Sequence, residues 1–109
     1  MSLIAIESKE ERMQMELHNQ LDSNFDRALN TVSYIADSHL SKFKRADDWK
    51  VDVWLDQEDV RSRPEFTCGV SLKRPNQEVI FTKKNSDSLN DAVKTSFETI
   101  KKTLIRRSA

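Results

Sequence analysis

The sequence predicts an α+β domain of two layers, in which two helices cover one face of a four-stranded mixed sheet in the order β-α-β-β-β-α. Apolar and polar residues alternate in four short segments, and apolar residues recur every three or four positions in two longer ones. Size supports this fold class, because 109 residues with 37% apolar side chains suffice for one core but not for two domains.

The first half of the chain predicts a strand and a helix. Residues 1–12 hold no pattern long enough to define an element, so we treat them as an N-terminal extension to a folded domain over 13–107. The alternating segment MQMEL predicts the first strand at 13–17. A helix over about 24–43 follows, marked by the apolar stripe Phe25, Leu29, Val32, Ala36, Leu40 and Phe43. A helical crossover makes the first and second strands parallel.

Three further strands follow, joined as antiparallel hairpins. The second strand takes its apolar side from alternating residues between Trp49 and Leu55, and the charged segment 57–64 is expected to be a connection. The third strand runs from Phe66 to Lys73 and places Cys68 in the core. A turn over Arg74-Pro75-Asn76-Gln77 leads to the fourth strand at 78–83, and the first or the fourth strand should be an edge of the sheet.

The last element is a second amphipathic helix. Several N-cap candidates lie between Asn85 and Ser88, and the helix should end near Arg106. Its apolar stripe is formed by Leu89, Val93, Phe97, Ile100 and Leu104.

No catalytic residue, cofactor or metal is expected. The only glycine, Gly69, lies in a predicted strand, so the chain has no glycine-rich phosphate loop. Cys68 has no second cysteine for a disulfide or a zinc cluster, and a site with His18 or His39 is disfavoured because Cys68 should face the core. The acidic residues between 47 and 59 lack the spacing of a calcium loop, and we interpret them as a solvated rim.

Charge is distributed unequally along the chain. Residues 1–66 carry 14 acidic and 9 basic side chains, whereas residues 67–109 carry 4 acidic and 9 basic ones, although the net charge is zero. The second half is therefore a basic surface that could bind phosphate, or a solvated helix whose cations pair with Asp91 and Glu98. Trp54 interrupts the polar face of its strand, and we favour cross-strand packing over a base-stacking role for it.

The segment FTCGVSLKRPNQEVIFTKKNSDSLNDAVKTSFETIKKTL, together with the order of elements, resembles the ribosome hibernation promoting factor and ribosome-associated inhibitor family. The resemblance covers residues 13–107 and includes the start of the last helix at Asp87 or Ser88, Leu89, Ala92 and Val93. It implies a double-stranded-RNA-binding-like fold that occupies the decoding channel of the small ribosomal subunit. The chain resembles the short form, without a C-terminal dimerisation domain. The implied rRNA contacts are Lys42, Lys44, Arg45, Lys83, Lys84, Lys94, Lys101, Lys102, Arg106 and Arg107.

The sequence and this resemblance lead to the hypothesis of a non-enzymatic translation regulator that silences or preserves ribosomes under stress. Its expected partners are the small subunit and its rRNA, without DNA or a membrane, and a monomer away from the ribosome is the simplest state. No run of residues has the length of a membrane span or the apolar core of a signal peptide, so we expect a cytoplasmic protein. The alternative is a protein-interaction module in which the acidic first half binds a basic partner without ribosome binding.

Overall fold

A computed structural model of the protein describes residues 2–7, 13–20, 25–40, 43 and 49–108. The secondary structure elements, in chain order, are β1 (Ser2–Glu7), β2 (Met13–Asn19), α1 (Phe25–Leu40), β3 (Trp49–Val60), β4 (Arg63–Lys73), β5 (Ile80–Ser86) and α2 (Leu89–Ser108).

The predicted mixed sheet is confirmed, and its strands lie in the sequence order β1-β2-β3-β4-β5. The pair β2 and β3, which α1 connects, is parallel, and the pairs β3–β4 and β4–β5 are antiparallel. The order β-α-β-β-β-α therefore describes the chain from residue 13 onwards, as the hydrophobic pattern predicts.

A fifth strand lies in the segment that the sequence analysis treats as an extension. Residues Ser2–Glu7 pair antiparallel with β2, with Ile4 facing Leu17 in the register. Six residues are too few for a hydrophobic period to be recognised. The pairing also needs a free edge of β2, and the sequence near residues 2–7 does not show that this edge is free. The edges of the sheet are therefore β1 and β5. The fourth predicted strand corresponds to β5 and is an edge, as expected, whereas the first predicted strand corresponds to β2 and is paired on both sides.

The hairpin between β3 and β4 is longer than predicted. The segment 57–64, expected to be a connection, forms paired strand up to Val60 and from Arg63, which leaves a two-residue turn at Arg61 and Ser62. Their φ angles are 53° and 67°, and a type I′ turn requires positive φ at both positions. Charged residues are uncommon in strands and the turn lacks Asn-Gly, so the sequence carries neither usual signal.

The predicted turn over Arg74-Pro75-Asn76-Gln77 is confirmed. The Gln77 amide donates a hydrogen bond to the Arg74 carbonyl oxygen at 3.3 Å, and Asn76 has a φ of 58°. Proline at the first central position and asparagine with positive φ at the second are the requirements of a type II turn. The strand that follows is displaced from the predicted 78–83 and occupies Ile80–Ser86.

The core lies between the two helices and one face of the sheet. The predicted apolar stripe of α2 is buried at Val93, Phe97, Ile100 and Leu104, and α1 ends at Leu40 instead of residue 43. These side chains form one cluster with the core face of the sheet, which includes Leu17, Val53, Leu55, Cys68, Val70 and Leu72. Cys68 is buried, as predicted, and the opposite face of the sheet remains without a helix among the described residues; we call it the open face.

Candidate functional site

The start of α2 is fixed by a serine cap. The Asp91 amide donates to Ser88 Oγ at 3.4 Å, while the Ser88 amide donates to Ser86 Oγ at 3.3 Å. Ser88 was one of several N-cap candidates in the sequence, and it is the residue that precedes Leu89, the first residue of the helix. The cap fixes the residue at which the helix begins.

The cations of α2 form two lines along its solvent side. Lys94 and Lys101 are seven residues apart, so they lie within about 20° of each other around the helix axis. Lys102 and Arg106 are four residues apart and form a second line about a third of a turn away. Lys94, Lys102 and Arg106 are exposed, Lys101 is half-buried, and Arg107 is exposed in the last turn.

Among the described residues, these cations form no ion pair. Asp91 and Glu98 lie on the same helix, yet within the described ranges neither carboxylate forms an ion pair with a lysine or arginine of α2. Among the described residues, α2 therefore lacks the salt bridges to Asp91 and Glu98 that the alternative interpretation requires. Unpaired cations on a rigid helix are available for external anions such as phosphate.

The other predicted contact residues do not all join this surface. Lys84 is the register partner of Cys68, a core residue, and therefore lies half-buried on the helix side of the sheet. Lys83 is adjacent in sequence and therefore lies on the open face, away from α2. The predicted contacts Lys42, Lys44 and Arg45 fall outside the described residues.

The open face carries an aromatic cluster that sequence reasoning found only in part. The rings of His18 and Trp54 stack with centroids 5.0 Å apart and 12° between their planes, and Phe81 lies 6.4 Å from Trp54 at 59°. Trp54 thus packs across strands, as favoured from the sequence, but it is 39% exposed and Phe81 is 59% exposed. The alternation of β2 could have placed His18 on this face, since it follows buried Leu17.

A groove of about 520 Å³ runs along this face beside the aromatic cluster. Its walls come from β2, β3, β4 and β5, which the register aligns as Trp54 opposite Gly69 and Gly69 opposite Lys83. Its lining residues include Trp54, Asp56, Glu58, Glu65, Phe81 and Asn85. We call this feature the acidic groove.

At one end of the open face, Glu16, His18 and Asp52 place their donor atoms within 4.8 Å of one another, a spacing that a metal ion could bridge. The carboxylates already have partners, since His18 Nε2 lies 3.4 Å from Asp52 Oδ1 and Lys50 Nζ lies 3.6 Å from Glu16 Oε1. A metal ion bound there would compete with both contacts.

The structure separates the residues of the disfavoured Cys-His site. Cys68 is in the core, His18 is on the open face, and the His39 Nδ1 atom donates to the Ile35 carbonyl oxygen within α1 at 2.9 Å. Burial raises the pKa of the Cys68 thiol from 9.0 to about 12, so the thiol stays protonated near neutral pH. These residues do not form a nucleophilic site.

Among solved structures, several chains are similar to this protein. No family model matches the chain, and no curated protein matches it. The crystal structure of the Protein Y N-terminal domain from Thermus thermophilus is similar to 83% of this chain and 92% of that chain, with 12% sequence identity and a TM-score of 0.47. Within the described ranges, neither helix combines the length and the apolar character that crossing a bilayer requires.

Proposed function

We propose that this protein is a non-catalytic translation regulator that binds the small ribosomal subunit through the phosphates of its rRNA. The observation that carries the proposal is the positive charge of α2, which has no ion-pair partner within the part of the chain that the structure describes and lies at Lys94, Lys101, Lys102, Arg106 and Arg107. The sequence resemblance to the ribosome hibernation promoting factor and ribosome-associated inhibitor family supports the choice of a ribosomal partner.

Electrostatics favours RNA as the ligand of α2 even though the whole chain is neutral. Charges beyond about 8 to 10 Å are screened at physiological ionic strength, so a bound phosphate responds to the local surface and not to the net charge. Each phosphate that a lysine or arginine neutralises releases counterions, which gives affinity without base recognition. The acidic groove lies on the opposite face of the sheet and does not cancel this attraction.

Shape also suits a double-helical RNA target. Paired RNA hides its base edges in a deep, narrow groove, so proteins recognise it largely through the backbone and the 2′-hydroxyls. The 20-residue helix α2 is about 30 Å long, and Lys94 and Lys101 are about 10 Å apart along it. Cations held at fixed intervals on a rigid helix can match phosphates without sequence-specific side chains.

In the small subunit, we propose the decoding channel as the position, because the resembling family binds there and excludes tRNA and mRNA. The bound protein would act as a steric plug, for which no catalytic group is required. Lys84, at the edge of the helix layer, would extend the contact surface beyond α2, whereas Lys83 on the open face would not.

Co-sedimentation tests this function. The purified protein is centrifuged through sucrose gradients with ribosomes or separated subunits, at low and moderate salt, with and without bound tRNA. We expect binding to the small subunit that rising salt weakens and bound tRNA prevents. Absence of binding at low salt would refute ribosome binding, and binding that tRNA does not affect would refute the decoding channel.

A further inference from the structure

Two glutamates of the acidic groove face each other across neighbouring strands. Glu58 and Glu65 are direct partners in the β3–β4 register, and like charges at facing positions destabilise a hairpin. Within the described residues neither forms an ion pair, including with Arg63, which lies two residues from Glu65 on the same face. A cation supplied from outside would remove this repulsion.

Hydrogen bonds hold one of these carboxylates in place. Asn85 Nδ2 donates to Glu65 Oε1 at 3.2 Å, and Thr67 Oγ1 donates to Asn85 Oδ1 at 3.0 Å. This chain of contacts crosses from β4 to β5 and orients Glu65 before any ligand arrives. A preorganised carboxylate loses less side-chain entropy on binding.

The aromatic part of the acidic groove offers a second site for a cation. Trp54 is held between its stack on His18 and the tilted ring of Phe81, which lies over Gly69, and Trp54 is still 39% exposed. The exposed ring faces of tryptophan and phenylalanine attract guanidinium and ammonium groups. Trp54 and Glu58 are four residues apart on one strand, which places them about 13 Å apart on the same face.

We propose that the acidic groove binds an extended segment of a basic partner protein that carries two arginines four residues apart. In an extended peptide such residues lie on one side at about 13 Å, the spacing from Trp54 to Glu58. One guanidinium stacks on Trp54, and the other is shared by the carboxylates of Glu58 and Glu65. Charge complementarity favours this occupant over nucleic acid, because Lys83 is the only lysine or arginine among the described residues that line the groove.

A peptide titration tests this inference independently of ribosome binding. The probe is a blocked nonapeptide with arginine at positions 3 and 7 and threonine elsewhere, titrated by calorimetry into the full chain. We expect the Glu58→Gln/Glu65→Gln variant to weaken its binding about tenfold, and Trp54→Leu to weaken it about fivefold. The second probe has arginine at positions 3 and 6, whose side chains point to opposite sides of an extended peptide. It should bind the wild-type protein as weakly as the first probe binds the Glu58→Gln/Glu65→Gln variant.

The matched control is Asp37→Asn/Glu78→Gln, which removes the same charge at exposed positions outside the groove and should change affinity less than about twofold. Thermal unfolding verifies that all variants fold. Equal binding of the two peptides, or an equal loss in the control, would overturn the inference. So would binding of oligouridylate that depends on Trp54, which would assign the site to bases, or a dimer lost in Glu58→Gln/Glu65→Gln, which would assign it to a second copy.

Discussion

Ser96 on α2 donates a hydrogen bond from its Oγ to the backbone carbonyl oxygen of Cys68 on β4, at 3.0 Å in the buried interface between helix and sheet. Val93 and Phe97, which lie close to Ser96 on α2, are apolar and fully buried. A directional bond within an apolar interface specifies one rotation of α2 about its axis. That rotation decides which side chains, including Lys94 and Lys101, face the solvent.

Replacing Ser96 by alanine should destabilise the protein. The buried carbonyl oxygen of Cys68 loses a donor, and a lost hydrogen bond in a protein interior costs about 1 to 2 kcal/mol in the free energy of unfolding. Urea unfolding followed by circular dichroism measures the change. Thr99→Ala is the control, because it removes a similar bond from Thr99 Oγ1 to the Thr95 carbonyl oxygen on an exposed turn and should cost less than about 0.5 kcal/mol. Equal costs would mean that the Ser96 bond has no special role.

The buried thiol of Cys68 should make stability fall in alkaline solution. Burial raises its pKa from 9.0 to about 12 in the folded protein. Below pH 9 the thiol is protonated in both states, but between pH 9 and about 12 only the unfolded state ionises, which lowers the free energy of unfolding by up to about 1.4 kcal/mol per pH unit.

Urea unfolding of the wild type and of Cys68→Ala across this pH range isolates the contribution of the thiol from that of other alkaline groups. The variant should show the shallower decline. A matching experiment follows the reaction of the native thiol with an alkylating reagent at pH 8, which should be slow until denaturant is added. Parallel pH curves for the two proteins would contradict the burial of a protonated thiol.

The fold could be predicted from the sequence wherever one face of an element is buried. The stripe of α2 at Val93, Phe97 and Ile100 is visible because burial of one face imposes the helical period on the sequence. In β3, burial of one face imposes the two-residue period that marks Val51 and Val53. The pairing of strands is harder to predict from the sequence. The ladder of β1 is only six residues long, and the outer half of the β3–β4 hairpin is charged and exposed, so short length conceals the first and charge the second.

The candidate sites were predictable to different degrees for the same reason. The cations of α2 follow from helical spacing alone, and so does their exposure. The facing of Glu58 and Glu65 depends on the strand register set by the turn at Arg61 and Ser62, which the sequence analysis placed inside a connection. The division of Lys83 from Lys84 follows from the two-residue period, but only once both are known to lie in a strand.

The turn at Arg61 and Ser62 should accept residues that suit positive φ. Most residues with a Cβ disfavour φ angles of 53° and 67°. Glycine adopts them freely because it has no Cβ, and asparagine adopts them because its short polar side chain can hydrogen-bond to the nearby backbone. Arg61→Asn with Ser62→Gly should therefore raise the free energy of unfolding by about 1 kcal/mol. Thermal and urea unfolding measure the gain, and Ser62→Ala, which keeps a Cβ, should give none. A loss of stability in the Asn-Gly variant would show that the turn does not have the type I′ conformation.

The two lines of cations on α2 should contribute to ribosome binding through phosphate contacts. Each contact adds about 0.7 to 0.9 to the slope of log affinity against log salt. Two double variants each remove the two charges of one line: Lys94→Ala/Lys101→Ala and Lys102→Ala/Arg106→Ala. For the line that faces the RNA, the salt slope of small-subunit binding should fall by up to about 1.8. Arg63→Ala/Lys73→Ala is the charge-matched control, because both side chains are exposed on the open face away from α2. A control slope that falls as far as those of the α2 variants would mean that the protein responds to net charge and that α2 is not the RNA-binding surface.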